Sequence, residues 1–163
     1  MHTLVSSGIT QTEVGRLNFR DRIEIWGRSL YIIQDFAVTG IGLGSFRYVV
    51  PLLYPLFRIP EAVHAHNIFL QAGVDFGVPG LIAYLALVAL MFLGALKGLR
   101  ISATTRWISL GLIGGWTGLH VYGLTDALAF GSKPAILFWL SLGLVAGIIS
   151  LGDGTHRESN APK

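Results

Sequence analysis

Three apolar runs free of Asp, Glu, Lys and Arg constrain what this chain can fold into. Phe76 to Leu96 is 21 residues long, while Trp107 to Thr125 and Pro134 to Gly152 are 19 each, with His120 a possible charge in the second. At about 1.5 Å of rise per residue, each run makes a helix of roughly 28 Å, close to the ~30 Å hydrocarbon core of a bilayer. The chain of 163 residues is 52% hydrophobic and only 13% charged, and its mean hydropathy of +0.61 is more than an ordinary soluble core requires. The expected fold class is an all-α membrane protein: three C-terminal transmembrane helices preceded by a helical extracytoplasmic loop region.

Charge placement orients these spans. Lys97, Arg100 and Arg106 sit in or beside the first connection, whereas the second offers Lys133 against Asp126. The positive-inside rule then puts the first connection, and the tail with Arg157 and Lys163, in the cytoplasm. Residues 1–75 form the extracytoplasmic, periplasmic region, 76–152 the three-helix membrane region and 153–163 a cytoplasmic tail. Met1 to Thr10 shows neither a basic n-region nor a long apolar run, so nothing there would carry residues 1–75 across the membrane. The chain therefore reads as the C-terminal part of a larger polytopic protein whose N-terminal spans are missing. The absence of cysteine permits an outer-face location and decides nothing.

Residues 1–77 contain six arginines (Arg16, Arg20, Arg22, Arg28, Arg47, Arg58), no lysine and six acids. This balance makes nucleic acid a poor partner. Arginine used without lysine suits bidentate binding of phosphate or carboxylate, with internal ion pairing as the plainer reading for most of the six. Asn18 can cap a helix on which Ile23, Trp26, Leu30 and Ile33 form an apolar stripe flanked by Arg22 and Arg28. Thr39 to Gly44 ends it. The spacing there fails the dinucleotide-loop pattern, because Ser45 and Phe46 follow Gly42, and the stretch reads as a flexible turn. Ser45 to Phe57, broken by Pro51 and Pro55, suits a short interfacial helix.

The most informative stretch is His64-Ala65-His66-Asn67, followed after nine residues by Gly77-Val78-Pro79-Gly80. On a helix His66, Leu70, Gly73 and Gly77 share one face, which puts His66 in the first turn and leaves glycines where a neighbour can come close. A helix N-terminus disfavours protonated imidazole, so a neutral His66 can accept a proton from a hydroxyl. Capping or hydrogen bonding at the helix end is the plain alternative for His66. Asn67 either caps the helix or orients His66. With Glu61, His64 and His66 could be read as metal ligands, but residues i and i+2 do not share a helix face and no third ligand is adjacent, so no metal or other cofactor is expected. Asp126 ends the second run on the same side as His66, with Tyr122 one turn earlier; it is either functional or an anchor paired with Lys133. His120 should hydrogen-bond a neighbouring helix, and Trp107, Trp116 and Trp139 should serve packing and interface anchoring.

Together, Arg22-Ile23-Glu24-Ile25-Trp26, Thr39 to Phe46, His64 to Asn67 with Gly77 and Gly80, and Asp126 resemble the bacterial O-antigen ligase and polymerase family. The His-Asn, nine-residue gap, Gly-x-x-Gly element is the sharpest part. The resemblance implies an inner-membrane, metal-independent enzyme of cell-surface polysaccharide (lipopolysaccharide) biosynthesis. Such enzymes move a glycan from a polyprenyl-pyrophosphate carrier to an acceptor hydroxyl, on a lipid A core sugar in the ligase branch. It gives His66 the catalytic role and Arg22 the pyrophosphate; Arg20, Arg28, His64, Asn67 and Asp126 are the further candidates for substrate binding. Membrane lipids are the other expected partners. The alternatives are an O-antigen polymerase, a protein O-glycosyltransferase of the same family, and a non-enzymatic transport component. The near-absence of charge in the three runs argues against transport.

Overall fold

The computed structural model describes residues 19–55, 62–127 and 133–159. The expectations for Met1 to Thr10, Arg16, Asn18, Arg58, Glu61, the side chains of Lys133 and Arg157, and Lys163 lie outside the described residues. Every described element is helical: α1 (Phe19–Asp35), α2 (Phe46–Leu53), α3 (Ile68–Gly98), α4 (Ala103–Tyr122) and α5 (Lys133–Ser159).

Each of the three apolar runs forms a helix, but among the described residues only α3 is long and apolar enough to cross a membrane. The apolar stretch of α5, Ala135–Leu151, is shorter, and α4 is diluted by Thr104, Thr105, Arg106, Ser109, Thr117 and His120. The expectation of three spans is thus reduced to one clear span with two companion helices. Ile82, Leu85, Leu90, Leu93 and Leu96 are all exposed along α3, a display of large aliphatic side chains that bilayer hydrocarbon accommodates and water does not. Helix α5 also continues to Ser159, into the stretch expected as a tail.

Helices α3 and α4 are joined by a tight turn. Ser102 caps α4 by accepting from Thr105 N–H, and the Thr105 hydroxyl reaches back to the Gly98 carbonyl at 2.9 Å. The antiparallel return brings the end of α4 to the start of α3. There the Ile68 N–H donates to the Gly123 carbonyl at 2.7 Å, and the Asn67 amide donates to the Leu124 carbonyl at 3.0 Å. The last carbonyls of one helix thus meet the capping residue and first amide of another, groups that neither helix satisfies internally. α5 packs on α3 at Gly94 and Gly98, where an added Cβ would fall 2.5 Å from Val145 Cγ1 and 2.7 Å from Ile148 Cγ2.

Two elements differ from expectation. In α1 the buried face is Ile25, Ser29 and Ile32, while Ile23 and Leu30 of the anticipated stripe are 52% and 53% exposed. Both faces are apolar by spacing. The face with serine wins because the Ser29 hydroxyl satisfies itself on the Ile25 carbonyl at 2.8 Å, and because its small side chain allows close approach.

The glycine-rich segment after α1 is likewise no loose turn. α3 breaks at Gly77 (φ 69°, ψ −171°), just before Pro79. The Val78 N–H turns away to the Ala37 carbonyl at 2.7 Å, and Pro79 has no N–H to give, so the carbonyls of Val74 and Asp75 lose their helical donors. Ile41 N–H and Gly42 N–H replace them at 2.8 and 3.0 Å. Such closeness needs glycine: a Cβ on Gly40 would lie 2.5 Å from the Asp75 carbonyl carbon, and one on Gly77 2.6 Å from the Ala37 oxygen.

Candidate functional site

Asn67 caps α3, its side-chain oxygen accepting from the Phe69 and Leu70 amides at 3.0 Å each. His66 therefore precedes the helix instead of occupying its first turn, as the sequence pattern had implied. Its backbone is left-handed, φ 47°, a conformation that costs a non-glycine residue roughly 1–2 kcal/mol. Three contacts hold this turn. Trp26 Nε1 donates to the His66 carbonyl at 3.1 Å, the His66 N–H donates to His64 Nδ1 at 3.2 Å, and the Ala65 N–H donates to Gln71 Oε1 at 2.7 Å.

The turn sets both imidazoles beside Asp126, delivered by the α4 end. His66 Nδ1 lies 3.3 Å and His64 Nε2 3.8 Å from Asp126 Oδ1, and the two rings are 4.0 Å apart between centroids. Asp126 is itself held: Tyr122 Oη donates to Oδ2 at 2.7 Å and the Ala127 N–H to Oδ1 at 2.8 Å. Although 3.3 Å from the carboxylate, the buried His66 Nδ1 makes no hydrogen bond, and neither does the buried Arg22 Nε.

These contacts set the protonation states. Burial lowers the His66 pKa, Asp126 pulls it up, and the Arg22 guanidinium adds to the lowering; it ends below its ordinary value. Burial and then His66 lower the His64 pKa in the same way, against Asp126. Burial works to raise Asp126, but its bonds to Tyr122 and Ala127 and the two imidazoles outweigh it and keep the carboxyl below its usual range. At neutral pH the site thus holds neutral imidazoles beside a carboxylate, with a cationic Arg22 close enough to act on His66.

Three ligand-type atoms of His64, His66 and Asp126 lie within 4.8 Å of one another. The third group that sequence adjacency did not supply thus arrives from 60 positions along the chain. The tautomers work against a metal. His64 Nδ1 accepts a backbone N–H, which leaves the proton of the neutral ring on Nε2, the atom nearest Asp126. That nitrogen then carries a proton 3.8 Å from the carboxylate and offers no lone pair to a cation.

The other expected residues separate by helix geometry. Arg22 and Trp26, one turn apart, face the histidine turn. At 100° per residue Arg20 and Arg28 are rotated roughly 160° and 120° from Arg22, Arg20 being exposed and Arg28 half-buried. His120 Nε2 meets Tyr84 Oη of α3 at 3.0 Å, the helix-to-helix bond expected of it. Trp116 is buried and donates to Ser141 Oγ at 2.8 Å, while Trp107 and Trp139 are exposed. Sequence reading missed Gln71 and Asp75. The signal for them was two polar residues one turn apart in an otherwise apolar helix.

The described fold is all-helical, with one helix long and apolar enough to cross a membrane and a preorganised imidazole–carboxylate centre at the capped end of that helix. Residues 9–85 match the family model described as O-antigen ligase, so this part of the chain is similar to that family. No curated protein matches the chain.

Proposed function

We propose that the protein transfers a glycan from a polyprenyl-pyrophosphate carrier to an acceptor hydroxyl on the extracytoplasmic face of the inner membrane, with a lipid A core sugar as acceptor. The observation that carries this reading is the half-buried His66, its pKa lowered by burial, with Asp126 Oδ1 3.3 Å from its Nδ1 and the Arg22 guanidinium close enough to act on it. In the proposed reaction His66 Nε2 takes the acceptor hydroxyl proton as the oxygen bonds to the anomeric carbon. The bond from that carbon to the pyrophosphate oxygen breaks, its electron pair leaves with the carrier pyrophosphate, and the anomeric configuration inverts. Asp126 faces Nδ1–H, favouring the tautomer with a free Nε2 lone pair and stabilising the imidazolium that forms. Arg22, whose Nε has no protein partner, meets the pyrophosphate charge, and a guanidinium suits it better than an ammonium. His64 and Asn67 hold the histidine turn from either side, and Arg20 and Arg28 serve the donor less directly.

The test is release of polyprenyl pyrophosphate by the protein reconstituted in liposomes, with and without a lipid A core acceptor. His66→Asn, which tolerates a left-handed backbone, should lose about 10²–10⁴ of the rate while inserting normally. Full activity in that variant would sink the assignment. Lengthening of the donor glycan itself, with no acceptor dependence, would make the protein a polymerase.

A further inference from the structure

The mechanism above leaves two buried polar side chains unused. Gln71 and Asp75 are 3% and 2% exposed and lie one turn apart on the first part of α3. Gln71 Nε2 donates to Asp75 Oδ1 at 2.8 Å, and Gln71 Oε1 accepts the Ala65 N–H at 2.7 Å. Every direction in this chain is forced. A backbone N–H only donates, so the Gln71 atom facing it is oxygen. Its nitrogen must then face Asp75, whose carboxylate accepts. Asp75 is anchored in turn by the glycine segment, its carbonyl taking the Gly42 N–H at 3.0 Å and its side chain a backbone bond from Gly44.

We propose that Gln71 and Asp75 are positioning residues for His66, a buried amide–carboxylate relay that fixes the left-handed turn presenting the imidazole to Asp126. Ala65 is 0% exposed, so its N–H has no recourse to water, and a buried donor without a partner is costly. While Gln71 Oε1 holds it, the His64–Ala65 peptide cannot rotate, and the next N–H, that of His66, is held by His64 Nδ1 at 3.2 Å. With Trp26 holding the His66 carbonyl, both ends of the residue are pinned and the left-handed conformation persists. Removing the Gln71 acceptor frees the Ala65 N–H to seek water. The turn can then relax to negative φ, which carries the imidazole out of its pocket. This role rests on the reading of His66 as the general base, but its signature in the imidazole can be read without any transfer reaction.

Gln71→Leu, of similar volume, removes the relay, and Gln71→Glu sets two carboxylates against each other. Gln71→Glu combined with Asp75→Asn exchanges donor and acceptor at their shared contact while keeping an oxygen for the Ala65 N–H. The measurement is the pH dependence of His66 modification by diethylpyrocarbonate, read by mass spectrometry in liposomes with His120 as internal reference. Both single variants should raise the His66 titration midpoint toward its ordinary value by about half a pH unit or more, and they should speed its modification severalfold. The paired exchange should restore both. Where transfer is measurable, kcat should drop about tenfold or more with a smaller change in donor KM. If His66 titrates as in wild type in Gln71→Leu, or if the paired exchange behaves no better than Gln71→Glu, the relay is overturned. If the singles do not fold, failure of the paired exchange to recover both folding and wild-type titration overturns it equally. A wild-type protein that transfers no glycan, but whose His66 titration moves and is rescued as described, would discard the transferase reading and keep the relay.

Discussion

The two hydrophobic clusters among the described residues are built on different principles. One gathers Ile25, Ile32, Phe46, Val50, Ala62, Ala65 and Val74 beneath the histidine turn; the other gathers Ile68, Ala72, Tyr84, Met91, Ala95, Trp116, Phe138 and Val145 along the bundle. In the first, position is fixed by hydrogen bonds to backbone groups that a broken helix leaves free. In the second, it is fixed by side chains closing on glycines, with Tyr84–His120 and Trp116–Ser141 as polar ties. Backbone-pinned geometry is directional and fails abruptly, whereas side-chain packing yields by small shifts. An imidazole held at a fixed angle needs the first kind of support and a long apolar helix the second.

The sharpest way to break that contrast is a methyl group in each region. Gly77→Ala forces a left-handed, glycine-only conformation and meets three backbone atoms at 3.0 Å or less. It should cost about 3 kcal/mol or more, seen as lost hydrogen-exchange protection across residues 39–44 and 64–67. Gly94→Ala meets only the flexible ends of Val145 and Ile149 and should cost about 1–3 kcal/mol, without loosening the histidine turn. Equal protection losses in both variants would mean that the two regions respond as one.

Next in size is Asp126→Asn. Asp126 raises the His66 pKa, so its loss should move the rising limb of the transfer pH profile to lower pH while cutting the plateau rate on the order of 10². A limb that moves to higher pH would show that the carboxylate does not face His66 in the working enzyme. A smaller effect follows from the histidines themselves. His64 and His66 both have pKa values lowered by folding, so the unfolded chain binds the extra protons first. Stability of the site region should be fully present above about pH 6.5 and decline as pH falls toward the folded pKa values, by at most about 1.4 kcal/mol per pH unit for each histidine. Melting of the site region that is independent of pH between 7 and 5 would contradict this.

Much of this arrangement could be read from the sequence where the cause is local. Asn67 before an apolar run announces a cap, Asp126 one turn after Tyr122 announces a helix-end carboxylate, and glycines at 73 and 77 announce close neighbours. The rest depends on partners far apart in the chain. The left-handed φ of His66 comes from Trp26, 40 positions earlier, and no periodicity encodes it. The missing N–H of Pro79 is plain in the sequence, yet only the fold shows that Ile41 and Gly42 supply the lost donors. α1 carries two apolar stripes, and hydrophobicity alone favoured the one whose Ile23 and Leu30 the tertiary structure leaves exposed.

The smallest expected effect tests the open side of the bundle. Gly111, Gly114, Gly115 and Gly118 of α4 have nothing within 4 Å of an added Cβ, unlike Gly94 and Gly98 on α3. Glycine inside a helix costs about 0.5–1 kcal/mol relative to alanine, so Gly114→Ala should raise the melting temperature slightly and leave transfer unchanged. A bundle held by α3, α4 and α5 alone has no reason to keep glycine there. If Gly114→Ala instead lowers stability or transfer, that face of α4 is packed against a further helix, and the tolerance of the bundle to small shifts ends where that helix begins.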